Sequence, residues 1–374
     1  MNGLRVSASV LKFLLGIMFL ISALSKFITI DTFEIYVYSF GLFPLAFCFV
    51  VARLVISLEL ILGAALISHR HHRLTTLTAL LFIVCFIVFL TYAHLVGRTD
   101  NCHCFGELMA FGPVQSIMKN AMIVLALLFV FKFAPDEWYP KWRLVLSVYL
   151  LTACLLLLYM LYSLHTLEVY SLVLLLVVAS IGVLASFPFY SRWYVALPLI
   201  LTPLVTVFIQ SPPDNWFYQD LGERYDEALF LKEIGTGEAF SNDTLSSDAE
   251  VLQSPLSRMG LDEGKHLVAF FSPGCGYCKL AAEKLSTIVR REEIDQECVV
   301  YVFPQVRDTS RYAVFYEDTR SLQFPYAVVD KRLFLDITRG SFPLLLLVHD
   351  GRVERSFSYR NIDEETIGDF ISAQ

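Results

Sequence analysis

The chain has 374 residues, of which 56% are hydrophobic and 17% charged, and its formal net charge is −7. An average globular protein is roughly 45–50% hydrophobic and about 25% charged, so a single water-soluble domain is excluded. Residues 1–210 hold 12 basic and 8 acidic side chains, whereas residues 211–374 hold 17 and 28. No basic face is available for phosphate backbones, which excludes a nucleic-acid-binding protein. The composition predicts a membrane protein with an acidic, water-exposed C-terminal part.

Residues 1–210 contain apolar runs long enough to cross a bilayer core, which takes about 20 helical residues. The seven predicted spans are Leu11–Ile28, Pro44–Ile67, Leu74–Val96, Val114–Phe133, Leu144–Tyr162, Val169–Phe187 and Tyr194–Ile209. This pattern predicts a four-helix membrane domain in residues 1–134, three additional spans in residues 135–210, and a separate domain in residues 211–374.

The basic residues between the spans predict the orientation, because cytoplasmic loops are enriched in Lys and Arg. With the N-terminus inside, the inner segments collect Arg5, Lys12, Arg70, Arg73, Lys132, Lys141, Arg143 and Arg192, and the outer ones Lys26, Arg98 and Lys119. Seven spans then place the C-terminal domain and the loop Arg98–Gly112 on the outer, periplasmic side of a bacterial inner membrane. An even number of spans would place this loop and the C-terminal domain on opposite sides of the membrane.

Polar side chains inside the first four spans are candidate binding groups, because ionisable residues are expensive in a bilayer. The candidates are Lys26, Arg53, Glu59, His94 and Asn120. Together they predict hydrogen-bond donors beside an apolar slot, which would suit the head group of a quinone from the membrane pool. The alternative is structural: Lys26 could extend to the lipid head groups, and Glu59 could pair with a neighbouring helix.

Four short motifs in the N-terminal part form a recognisable series. They are Ser25-Lys26 after the first span, Phe40-Gly41-Leu42-Phe43-Pro44 before the second, Glu59 within it, and Asn101-Cys102-His103-Cys104-Phe105-Gly106 before the fourth. This series resembles the DoxX/MauE family over about residues 9–134. The methylamine-utilisation branch of that family is linked to disulfide formation in a periplasmic subunit, so the resemblance implies a redox-associated membrane domain.

Cys102 and Cys104 are separated by one residue, so a disulfide between them closes a tight ring that is readily reduced. Ready reduction favours a role of this pair as an electron acceptor. Two alternatives stay open. The two cysteines could bind a metal ion together with His94 and His103, or they could form a structural clamp.

In the C-terminal domain a predicted strand, His266–Ser272, leads into the loop that carries Cys275 and Cys278, and Lys279–Arg291 then reads as an amphipathic helix. The later predicted elements are a strand at Glu297–Phe303, a hairpin of Phe342–Val348 and Val353–Phe357, and a helix at Ile362–Ile371. A strand followed by Cys-x-x-Cys at a helix start, then a hairpin that begins at a proline, resembles the thioredoxin fold.

The resemblance implies that Cys275 is the attacking thiol, that Cys278 resolves the mixed disulfide, and that Pro343 follows a cis peptide bond beside them. A cysteine at a helix N-terminus has a stabilised thiolate, which is what this chemistry needs. The alternatives are half of a zinc site or a static disulfide. Cys298 is the remaining cysteine of this domain, and we expect it to be a buried strand residue.

The sequence thus predicts a membrane-bound thiol–disulfide oxidoreductase. The Cys275–Cys278 disulfide would oxidise protein thiols outside the cytoplasm. The electrons would then pass to the Cys102–Cys104 disulfide and from there to a quinone. Two alternatives are a relay that carries reducing power outward and a non-enzymatic assembly or metal-transfer factor. A transporter lacks support, because no internal repeat or pair of broken helices is present.

Overall fold

The computed structural model describes residues 2–67, 72–96, 112–134, 193–214, 224–235 and 254–372. They divide into two compact units. The first comprises Met1–Phe40 and Phe49–Pro212, and the second comprises Gly41–Cys48 and Pro213–Gln374. Predicted spans five and six and the Cys102–Cys104 loop lie outside the described residues, so the predictions made for them stay predictions.

The first unit consists of helices. They are α1 (Asn2–Ile28), α2 (Ile30–Tyr38), α3 (Leu45–Ile67), α4 (His72–Leu95), α5 (Pro113–Phe133) and α6 (Trp193–Gln210). Of the described helices, α1, α3, α4 and α5 are long and apolar enough to cross a membrane, which confirms the first four predicted spans. Helix α1 begins ahead of the predicted Leu11, because the helix continues through polar residues that an apolar run does not include. Helix α2 was not predicted.

Small residues let α1 and α3 pack closely. A Cβ atom on Gly16 would lie 2.8 Å from the carbonyl oxygen of Gly63, so a larger side chain at this crossing would push the backbones apart. Apolar side chains fill the space around the crossing, including Leu20, Ala23, Phe27, Ala52, Ile56 and Leu60. Leucines and methionines on the outer faces of α4 and α5 are exposed, Met122 to 72%, as lipid-facing side chains require.

The second unit contains a five-stranded sheet. Its elements are α7 (Glu227–Ile234), β1 (Lys265–Phe270), α8 (Gly276–Arg291), β2 (Val299–Pro304), α9 (Ser310–Thr319), β3 (Tyr326–Val329), α10 (Lys331–Thr338), β4 (Leu344–His349), β5 (Arg352–Phe357) and α11 (Glu364–Ser372). The strand order is β3-β2-β1-β4-β5, with β1, β2 and β3 parallel and β4 and β5 antiparallel to their neighbours. This is a thioredoxin-like arrangement, as expected.

Alternate residues along the strands pack on opposite faces of the sheet. Val268 and Phe270 of β1 join an apolar core with residues of β2 and β4. The opposite face holds an aromatic cluster in which the ring of Phe271 contacts those of Tyr301 and Phe315. The central strands are buried on both faces, which fixes the end of β1 where the cysteine loop begins.

Candidate active site

Cys275 and Cys278 lie at the start of α8. Cys275 is the N-cap residue, and its Sγ accepts a hydrogen bond from the backbone N–H of Cys278 at 3.3 Å. The backbone N–H of Ser272 donates to the Sγ of Cys278 at 3.4 Å. Cys275 is partly exposed, and Cys278 is buried. An attacking protein thiol can therefore reach the first sulfur but not the second.

The same contacts separate the acidities of the two thiols. The pKa of Cys275 is lowered to about 6, mainly by a hydrogen bond from the Cys278 thiol and also by the backbone N–H groups of Cys278 and Tyr277, against the opposing effect of burial. Burial raises the pKa of Cys278 well above its ordinary value. At neutral pH, Cys275 is a thiolate and Cys278 a neutral thiol, which fits the predicted roles of attacking and resolving cysteine.

The Phe342–Pro343 peptide bond is cis, which confirms that expectation. Pro343 directly precedes β4, whose first residue, Leu344, is paired with Phe270 at the end of β1. The cysteine loop also follows β1, so the proline and the cysteine loop lie at the same end of two neighbouring strands. The role of Pro343 in substrate binding stays a prediction.

A buried charged network behind the cysteines was not predicted from the sequence. Lys284 of α8 is fully buried, and its Nζ lies 3.4 Å from the carboxylate of buried Asp214 and 4.1 Å from the centroid of the Tyr359 ring. Arg360 also binds Asp214, at 3.0 Å. The Tyr359 ring contacts that of Tyr277, the exposed tyrosine between the two cysteines, at 5.3 Å. The network connects the middle of α8 to the cysteine loop.

Cys298 differs from its prediction. It ends a 3-10 turn, Gln296–Cys298, just before β2, and is only partly buried. Burial and the nearby carboxylates of Asp295 and Glu297 raise its pKa, so it is a poor thiolate. The predicted strand began two residues too early, because Glu297 and Cys298 belong to the 3-10 turn that leads into β2.

In the membrane unit, Lys26 and Glu59 form a buried ion pair. The Lys26 Nζ lies 2.8 Å and 2.9 Å from the two carboxylate oxygens of Glu59, and 2.7 Å from the Ser22 hydroxyl. Ser22 also donates to Glu59 at 3.3 Å. Lys26 is 1% exposed, so it does not extend to the lipid head groups. Instead, the pair joins α1 to α3.

This pair borders a cleft of about 330 Å³, a volume that includes the part open to the surroundings. The cleft is lined by Met18, Phe19, Ser22, Lys26, Glu59, Phe82, Ile83, Phe86, Lys119, Asn120 and Ile123. The structure therefore brings together three predicted binding residues, Lys26, Glu59 and Asn120. Lys119, which was not among the predicted binding residues, lines the same cleft.

The other two predicted binding residues do not line it. Arg53 forms an ion pair with Glu34 of α2, and its Nε donates to the carbonyl oxygen of Ser211 just after α6, at 2.6 Å. His94 is exposed near the end of α4. Six residues separate Arg53 from Glu59, which rotates them by about 240° around the helix axis. Arg53 therefore connects α3 to α2 and to the end of α6.

Comparisons with known proteins agree with this architecture. Residues 4–133 match the model of the family described as Methylamine utilisation protein MauE. The N-terminal region is a MauE domain. The match confirms the resemblance found in the sequence motifs.

Two further similarities extend beyond that domain. The chain is 23% identical over 339 residues to Protein TlpB of Flavobacterium psychrophilum, covering 86% of this chain and 82% of that one. It is also similar to the crystal structure of a secreted disulfide oxidoreductase of Mycobacterium tuberculosis, described as homologous to E. coli DsbE. That similarity has a TM-score of 0.25 and 15% identity, and covers 31% of this chain and 85% of the other. The N-terminal part of the chain thus matches the MauE family, and the C-terminal part has the thioredoxin-like order of strands described above.

Proposed function

We propose that this protein is a membrane-bound thiol–disulfide oxidoreductase that oxidises protein thiols outside the cytoplasm. The observation that carries the proposal is the pair at the start of α8: an accessible Cys275 with a pKa of about 6 beside a buried Cys278. In a thioredoxin-like domain this arrangement favours reversible disulfide exchange over a static crosslink.

The first step is oxidation of a substrate dithiol by the Cys275–Cys278 disulfide. A substrate thiolate attacks the Cys275 sulfur, the bond between the two cysteines breaks, and Cys278 takes up a proton. A second substrate thiolate then attacks the substrate sulfur of the mixed disulfide and releases Cys275 as a thiolate. The substrate loses two electrons, which now reside in the reduced cysteine pair.

The second step passes these two electrons to the membrane domain. The Cys275–Cys278 dithiol reduces a Cys102–Cys104 disulfide by the same exchange, and the reduced loop then transfers two electrons and two protons to a membrane quinone, which becomes a quinol. The MauE domain and the buried polar cluster around Lys26 and Glu59 support this assignment.

The acidity of Cys275 favours oxidation of the substrate. A pKa of about 6 stabilises the reduced pair at pH 7 by a factor of about ten, which makes the disulfide about 30 mV more oxidising than if Cys275 stayed protonated. A good leaving thiolate also releases the oxidised substrate more readily. Both effects act in the direction of disulfide formation.

The relay requires both cysteine motifs on the periplasmic side of the inner membrane, as the distribution of basic residues predicts. We expect a reporter enzyme fused after Gln374 to be active only outside the cytoplasm. Activity in the cytoplasm would place the motifs in different compartments and would refute the relay.

The direction of flow is tested by the redox state of both cysteine pairs in growing cells, measured by alkylation and gel shift. The proposal predicts that both pairs are mostly oxidised and that Cys275–Cys278 becomes reduced when Cys102 and Cys104 are replaced by Ser. Pairs that are mostly reduced would instead indicate an outward reductive relay. Stoichiometric metal in the purified protein would indicate a metal-transfer factor.

A further inference from the structure

Asn120 of α5 is a buried polar residue that lines the cleft beside Lys26 and Glu59. Asn120 is 2% exposed, and no acceptor among the described residues lies within hydrogen-bond distance of its Nδ2. A buried donor without a partner is costly, and in native proteins it requires an explanation. Because Asn120 lines the cleft between α1, α3, α4 and α5, a ligand in that cleft can supply the missing acceptor.

The charges around the cleft favour an oxygen atom with partial negative charge. Lys26 is neutralised by Glu59 at 2.8 Å, while Lys119 lines the cleft as a second cation. The three side chains carry one net positive charge when all are ionised. In an apolar bundle, such a charge attracts the negative end of a carbonyl group and resists a cationic ligand.

Apart from Ser22, the rest of the lining is apolar, and three of its six apolar side chains are phenylalanines. The ring centroids of Phe19 and Phe82 are 6.2 Å apart, and those of Phe82 and Phe86 are 6.3 Å apart with their planes inclined by 21°. Flat rings pack favourably against such faces.

We infer that this cleft binds the head group of a membrane quinone, with Asn120 Nδ2 donating a hydrogen bond to one quinone carbonyl oxygen. A quinone combines a flat ring, carbonyl acceptors and solubility in the bilayer, which are the three properties that the lining selects. The inference rests on the proposed function, which requires a two-electron acceptor in the membrane, and it names the residues that recognise that acceptor.

The test measures binding of decylubiquinone to the purified, fully oxidised full-length protein, in which no thiol is available to reduce the probe. Asn120→Leu removes the donor, and Asn120→Asp replaces it with an acceptor. Both should weaken binding roughly fivefold to tenfold, the effect of one hydrogen bond. Ser116→Ala is the matched control, because Ser116 is buried on the same helix but does not line the cleft. Its affinity should stay within about twofold of the unmodified protein.

A photoreactive azidoquinone tests the same site without a substitution. Its label should appear on peptides that contain Phe19 or Ile123, and excess decylubiquinone added before illumination should prevent the labelling. Label confined to other peptides, or Asn120 variants that bind as tightly as the unmodified protein, would overturn the inference. Absence of binding to the unmodified protein would also overturn it.

The binding assay separates this inference from the proposed function. If substrate thiols are oxidised through Cys275 and quinone binds with the same affinity whatever residue stands at position 120, this inference alone fails. If quinone binds with the expected dependence on Asn120 but the two cysteine pairs exchange no electrons, the proposed function fails.

Discussion

The buried lysine of α8 provides a stringent test of the thioredoxin-like domain. Replacing Lys284 with Met keeps the length of the side chain but removes an ammonium group that contacts the Asp214 carboxylate at 3.4 Å, the Tyr359 carbonyl oxygen at 3.3 Å and the Tyr359 ring at 4.1 Å. Removal of one partner of a buried ion pair costs about 3–5 kcal/mol. Because Arg360 still pairs with Asp214, we expect the loss of stability to lie at the lower end of this range, about 3 kcal/mol.

Hydrogen exchange of the α8 peptide in the full-length protein measures this loss. A change of about 3 kcal/mol corresponds to a decrease in protection on the order of a hundredfold. Lys279→Met is the matched control, because Lys279 lies on the same helix but forms an exposed pair with Asp318, which is worth at most about 1 kcal/mol. Equal loss of protection in both variants would show that Lys284 does not stabilise the helix through its buried contacts.

Three further predictions concern the cysteines and the membrane ion pair. Cys278→Ser should accumulate mixed disulfides with substrate proteins on non-reducing gels, whereas Cys275→Ser should not, and equal trapping would contradict the assigned roles. The rate of alkylation of Cys275 should rise with pH to half its maximum near pH 6, because the thiolate is the reactive form, while a midpoint near 9 would indicate an unactivated thiol. Lys26→Met should destabilise the full-length protein by about 3 kcal/mol in detergent because Glu59 stays buried without its cation, and adding Glu59→Gln should restore most of that loss in thermal unfolding.

Much of the fold is predictable from the sequence where the pattern is local. Apolar runs locate the first four membrane helices, and the strand that leads into the Cys275 loop indicates the thioredoxin-like sheet. Shorter elements such as α2 and α9 were missed because their apolar and polar residues repeat over fewer than three helical turns. The cysteine site could be predicted because its chemistry depends on the spacing of the two cysteines along the chain.

Contacts between residues far apart in the sequence were not predictable in the same way. Lys284 reads as a solvated charge on an amphipathic helix, and only its contact with Asp214, 70 residues away, explains its burial. Glu59 was identified as an expensive intramembrane charge, but its pairing with Lys26 depends on how α1 packs against α3. Arg53 was predicted to bind the same ligand because it lies within the same membrane span as Glu59. It lies on a different face of the helix, however, and does not line the cleft.

The central claim is that the two cysteine motifs exchange electrons directly, and trapping of that intermediate tests it. In protein that carries Cys278→Ser together with either Cys102→Ser or Cys104→Ser, Cys275 cannot be resolved and one loop cysteine remains. Peptide mapping under non-reducing conditions should find a disulfide from Cys275 to the remaining loop cysteine in one of the two combinations. Absence of that linkage from both, together with unchanged reoxidation of Cys275–Cys278 when both loop cysteines are Ser, would contradict the relay.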